Sequence, residues 1–126
     1  VKGSANRMFV YGRGRKVVVV ETERDAAMLW GRFGGKGWAA VGTGSASNKP
    51  CAEVHRFLKG AEVIAVALDN DAAGLAGWRN FWRDEFARAL RWKVPSAWGK
   101  DPGEAFEGGF DLGDWLEGCE LTAGLK

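Results

Sequence analysis

The stretch VIAVALDNDAAG, residues 63–74, decides the fold class. It opens with six apolar residues, runs into Asp69, Asn70 and Asp71, and reaches Gly74 three residues later. A short apolar run containing β-branched residues and bounded by turn formers reads as a strand buried on both faces. A carboxylate at the end of such a strand is costly to place without a partner. The usual partner is a hard divalent cation with oxygen ligands.

The same pattern recurs upstream. KVVVV, residues 16–20, is a second buried strand, and it ends directly on Glu21. Thr22 suits a helix cap, with a helix over 23–33 carrying Ala26, Ala27, Leu29 and Trp30 on its apolar face and stopped by Gly34 and Gly35. A short strand, GWAAV over 37–41, leads into the turn Gly42-Thr43-Gly44-Ser45, and Pro50 opens a helix to about Leu58. Downstream, Asp71 caps a long helix over 72–90, with Leu75, Trp78, Phe81, Trp82, Phe86 and Ala89 at helical spacing. A fourth strand is expected over 91–95, a Gly/Asp/Pro-rich loop over 99–109, and a short helix over 112–117 behind Asp111. A further short strand is expected around Met8 to Tyr11.

Strand and helix alternate throughout. That pattern predicts an α/β sandwich with a mainly parallel central sheet of about four strands flanked by helices. Ligands of such sheets gather beyond the carboxyl ends of the strands. Glu21, the Gly42 to Ser45 turn, Asp69 and Asp71 all fall there.

Composition bounds the function. At 126 residues the chain is one domain with room for one packed core, and its net charge of +2 does not by itself argue for nucleic acid. Charge position says more: Lys2, Arg7, Arg13, Arg15 and Lys16 open the chain with no acidic residue among them. This basic lead-in, residues 1–15, is either a solvated leader or a contact for phosphate backbone through Arg13, Arg15 and the adjoining Lys16. Residues 16–118 form the expected catalytic domain and 119–126 a tail. Cys51 and Cys119 are far apart and His55 is the only histidine, which excludes a Cys/His zinc site within this chain. Two lone cysteines fit reduced thiols in a cytoplasmic protein, and neither a membrane span nor a signal peptide is evident. A start at Val rather than Met leads us to expect a domain cut from a longer polypeptide.

The acidic residues each have a plain structural reading beside the chemical one. Asp71 is a helix N-cap as readily as a ligand. Asp25, one turn into the first helix, can turn back towards Glu21 or pair with Arg24 or Arg15. KDPGE, residues 100–104, is an ordinary Asp-Pro turn, or else Asp101 adds a carboxylate and Lys100 a positive charge for phosphate. The amides of Gly42, Thr43 and Gly44 offer a second candidate phosphate contact, without the lysine or spacing of a P-loop. Jointly, Glu21, Asp69 and Asp71 suit one or two magnesium ions, with waters and phosphates completing the shell.

In this order the residues resemble a Toprim domain, the catalytic module of DnaG-type primases, topoisomerases and some nucleases. ETERD matches the family's strand-terminal Glu and following Asp at Glu21 and Asp25, with Thr22 where a glycine is usual. DND, within DxDxAG, matches the second motif at Asp69 and Asp71 in its primase or primase-helicase form. KDPGE resembles the later KDxxE/D element, and GSANRMFVYGRGRKVVVVE the lead-in of phage and plasmid primases. The resemblance implies a Toprim (Rossmann-like) fold and magnesium-dependent nucleotidyl transfer in primer synthesis, manganese being a possible substitute. It makes Glu21 the general acid/base or metal-organising carboxylate. Asp69 and Asp71 become the principal metal ligands, supported by Asp25 and Asp101. The implied partners are single-stranded DNA template, NTPs and a replicative or fused helicase, in the cytoplasm of a bacterial, phage or plasmid system. A topoisomerase would need an attacking Tyr, and the only one, Tyr11, lies in the lead-in. A Toprim nuclease and a catalytically silent nucleic-acid-binding module remain the alternatives.

Overall fold

A computed structural model describes residues 7–126 of the chain. Lys2 and the start of the lead-in, from Gly3, lie outside the described residues. The chain runs through strand β1 (Phe9–Tyr11), β2 (Lys16–Val20), helix α1 (Glu23–Phe33), β3 (Trp38–Gly42), α2 (Ala52–Lys59) and β4 (Val63–Val66). Then come α3 (Ala72–Gly77), a π-helical turn (Trp78–Trp82), α4 (Arg83–Glu85), β5 (Ala89–Arg91), α5 (Pro102–Glu107) and α6 (Leu112–Thr122).

The strands form one five-stranded sheet in the order β1-β3-β2-β4-β5. β3, β2, β4 and β5 pair in parallel, whereas β1 pairs antiparallel with β3, Val10 lying opposite Val41. The sheet is therefore mixed, which corrects the expectation of about four mainly parallel strands. The glycines between β1 and β2 allow the reversal. Gly12 has φ +80°, and a Cβ at Gly14 would stand 2.2 Å from the Gly37 carbonyl oxygen. Tyr11 sits in β1, the short strand expected around Met8 to Tyr11, stacked on Trp30 with its hydroxyl donating to Glu23 at 2.6 Å.

Alternation along β2 splits the core into two layers. Val18 and Val20 face a cluster with Leu29 and Phe33 of α1, Ala105 of α5, and Leu112, Trp115 and Leu116 of α6. Val17 and Val19 face Leu58 of α2, Leu68, Trp82 and Phe86. All four valines are fully buried, each burial contributing about 1.5–3 kcal/mol. Helices thus cover both faces of the sheet.

Three further expectations change. The helix over 72–90 ends at Glu85, and Phe86 turns extended (φ −125°, ψ 119°) with its ring in the core. That break releases residues 89–91 to pair with β4, so the fourth parallel strand starts two residues before the expected 91–95. The loop over 99–109 contains α5, started by Asp101 as N-cap and Pro102 at the first turn. The last helix runs beyond 117 to Thr122, and Cys119 and Glu120 within the expected tail are buried. Among the described residues no helix is long and apolar enough to cross a membrane.

Candidate functional site

From β2 the chain passes to β3 on one side, and after β3 it crosses to β4 on the other. The carboxyl ends of β2 and β4 therefore flank the point where the winding reverses, which is where open α/β sheets bind ligands. Glu21 leaves the end of β2, and Asp69 follows β4 by three residues. A hydrogen bond links them directly: the Asp69 amide donates to Glu21 Oε2 at 2.9 Å.

The DND turn is a compact knot. The Asp71 amide donates to the Asp69 carbonyl at 2.8 Å, and Asp71 Oδ1 caps α3 by accepting from the Gly74 amide at 2.7 Å. Gly74 is required there, because a Cβ would stand 2.0 Å from the Asp69 carbonyl oxygen. Asp71 stays exposed while capping, so its second carboxylate oxygen can also serve a ligand.

Asn70 was not singled out by the sequence reading. Its side-chain amide donates to the carbonyls of Val94 at 2.7 Å and Gly99 at 3.1 Å, and its backbone amide donates to Lys100 at 2.8 Å. These bonds fasten the 94–100 segment to the DND turn and bring KDPGE to the carboxylates. The flanking aspartates drew attention to their charge; the residue between them holds the site together.

Asp25 is buried at the start of α1, its amide accepted by the Thr22 hydroxyl that caps the helix. Its carboxylate faces α5 and accepts from the Gly103 amide at 3.2 Å. A Cβ at Gly103 would stand 2.4 Å from Asp25 Oδ1, so the Gly of KDPGE exists to let this carboxylate approach. Burial pushes the Asp25 carboxyl up and neighbouring Asp101 pushes it further, against the lowering by Gly103. Asp101 also caps α5, accepting from the Glu104 amide at 2.8 Å.

Crowding of like charge is the electrostatic signature of this end of the sheet. The Asp69 carboxyl is raised from 3.8 to about 7, by burial first and then by Glu21, Asp101 and Asp71. Glu21 is raised by burial, with Asp71 and Asp101 adding to it and the Asp69 amide and Lys100 opposing. Lys100 is thus a cation within the field of both Glu21 and Asp69.

The structure does not bring every expected residue here. The Thr43 amide donates to the Val20 carbonyl at 2.8 Å and the Gly44 amide to Glu21 at 2.7 Å. Gly42 ends β3, where a Cβ would stand 2.9 Å from the Thr22 carbonyl. The Gly42–Gly44 turn closes the sheet, and the Thr43 and Gly44 amides are committed within the protein rather than offered to phosphate. Lys16 and Arg15 lie at the amino end of β2, the opposite end of the strand from Glu21. Lys16 pairs with buried Glu120 of α6, and Arg15 pairs with Glu62 at 3.3 Å. Arg13 lines a separate cleft with Glu53 and Phe57. The basic lead-in, as far as it is described, does not reach the carboxylates. His55 pairs with Glu85 at 2.6 Å, away from the site.

Among the described residues no three Asp, Glu, His or Cys side chains enclose a cation on their own. Magnesium does not require such a cage, since it keeps several waters and takes one or two carboxylates plus substrate phosphates. The all-oxygen donors and the raised Asp69 fit a hard cation, whose charge would relieve the crowding.

A scan against protein-family models finds no match, and a search of curated proteins finds none either.

Proposed function

We propose that this chain is a Toprim-type catalytic domain that carries out magnesium-dependent nucleotidyl transfer in primer synthesis on single-stranded DNA, within a larger primase or primase-helicase. The observation that carries the reading is the meeting of Glu21, Asp69 and Asp71 at the winding reversal, with the Asp25–Asp101 pair alongside. Each element of the motif has a job in that meeting: Gly74 admits the Asp69 backbone, and Gly103 admits Asp25.

Asp69 and Asp71 would hold the metal, with Glu21 beside them. When bound, magnesium supplies charge neutralisation and alignment for the attacking and leaving oxygens. Glu21, partly buried and raised in pKa, accepts the Asp69 amide and keeps that carboxylate at the strand end. It would also take a proton from a primer 3′ hydroxyl. Lys100 places positive charge for the phosphates of an incoming NTP. The protein's contribution is positioning and electrostatics, and no covalent nucleophile is required.

A magnesium or manganese titration followed by amide NMR shifts tests the metal site. Saturable shifts confined to Glu21, residues 69–74 and residues 100–103, lost in Asp69→Ala/Asp71→Ala, are the expected result. Shifts of equal size in that variant would overturn it. Primer extension on a single-stranded template then separates nucleotidyl transfer from the nuclease alternative, in which the template itself is cut.

A further inference from the structure

Next to the carboxylates lies an open groove of about 510 Å³ in which positive charge collects. Arg79 and Arg83, one turn apart on the helix after the DND turn, form one wall. Arg91 and Lys93, at the end of β5 and just past it, form the other. Trp78 is half-buried in the lining, and Asp71 marks the end nearest the metal ligands.

These cations form few close ion pairs, although Asp71 and Glu21 act on Arg91. Among the described residues Arg79, Arg91 and Lys93 take part in no ion pair, and Arg83 has only exposed Asp84 at 3.3 Å. Arg91 donates through Nη1 to the Gly74 carbonyl at 3.1 Å, while its Nε is buried without a partner. A buried donor left unmet and like charges one helical turn apart both cost stability. Exposed Arg79, Arg83 and Lys93 leave the groove open to an anion.

We propose that this groove binds the phosphate backbone of single-stranded nucleic acid and leads the strand to Asp71. The four cations of the lining suit phosphates of a strand, and Trp78, partly packed against the core, lines the same groove. The proposal moves the nucleic-acid contact from Arg13, Arg15 and Lys16 to the opposite end of the sheet. It rests on the proposed function only for the direction in which the strand runs.

Fluorescence anisotropy of labelled oligothymidylate with the full chain, at low salt and in EDTA, tests it. Arg79→Gln/Lys93→Gln, both at exposed positions, should weaken binding about tenfold and flatten the slope of log K against log salt by about 0.7 per lost contact. Arg13→Gln/Arg15→Gln should bind as wild type does, and circular dichroism should show both variants folded. No binding by the wild-type chain, an unchanged groove variant, or equal weakening in both variants would overturn the proposal. So would displacement of the oligonucleotide by stoichiometric inorganic triphosphate at constant ionic strength, which would assign the groove to a free nucleotide. Retained binding in Asp69→Asn supports the groove whether or not the metal titration succeeds.

Discussion

At Asp69, burial and the charges of Glu21, Asp101 and Asp71 raise the carboxyl to about 7. Because the folded-state value lies above the ordinary 3.8, the folded protein binds this proton more tightly than the unfolded chain does. The stabilisation is complete below about 3.8 and is lost as pH rises through about 7. Metal-free Asp69→Asn should therefore melt higher than wild type at pH 8, and the gap should close towards pH 4. Thermal melts in EDTA across that range check it; a constant gap would show that Asp69 does not carry the shift. Saturating magnesium should shrink the gap at pH 8 by holding the wild-type carboxylate ionised. Gly74 is forced by its neighbours, since a Cβ there meets the Asp69 carbonyl at 2.0 Å. Gly74→Ala should cost about 2 kcal/mol or more, whereas Gly31→Ala, in open space on α1, should add about 0.5–1 kcal/mol. Denaturant midpoints of the two variants provide the comparison.

Three side chains join the elements around the site: Glu21 holds the Asp69 amide, Asp25 the Gly103 amide, and Asn70 the segment before α5. Asn70 ties the turn after β4 to the segment before α5, so the position of Lys100 and Asp101 depends on it. Asn70→Ala should lose about 1–3 kcal/mol, because it leaves the carbonyls of Val94 and Gly99 without their donor. It should also weaken magnesium binding although Asn70 is no ligand, and shifts at residues 100–103 should become smaller in the NMR titration. A variant that loses stability but keeps those shifts would limit Asn70 to a structural role. The helix after the turn shows how far local pattern reaches. Apolar spacing extended it to 90, yet burial of Phe86 and pairing of residues 89–91 with β4 end it at Glu85. In α5 the opposite happened, for Asp-Pro-Gly-Glu carries the cap, proline and third-position acid of a helix start while also reading as a turn.

Across the whole molecule, the two ends of the sheet divide their work. The carboxyl end gathers Glu21, Asp69, Asp71, Asp25 and Asp101, and the amino end anchors α6 through Lys16 and Glu120. That pair is largely buried, so Lys16→Gln leaves Glu120 with only the more exposed Lys126 nearby at 3.6 Å. Removing one partner of a buried pair costs about 3–5 kcal/mol, and partial exposure at Lys16 places the loss towards the low end or below it. Oligonucleotide binding by Lys16→Gln should match wild type once the protein is folded. A stable variant with weakened binding would return Lys16 to the nucleic-acid surface.

Local sequence alone determined the strand at KVVVV, the strand at VIAV (two residues shorter than the apolar run), the α1 cap at Thr22 and the acidic residues that follow both strands. Each depends on a run of neighbours whose burial and capping are set within a few residues. Tertiary structure decided what those ends meet. The antiparallel β1 edge, the fastening of KDPGE by Asn70, the commitment of the Gly42–Gly44 turn to the sheet and the capture of Lys16 by Glu120 all join residues far apart in the chain. Side-chain type sets what a residue can bond to, and only packing sets which partner is within reach.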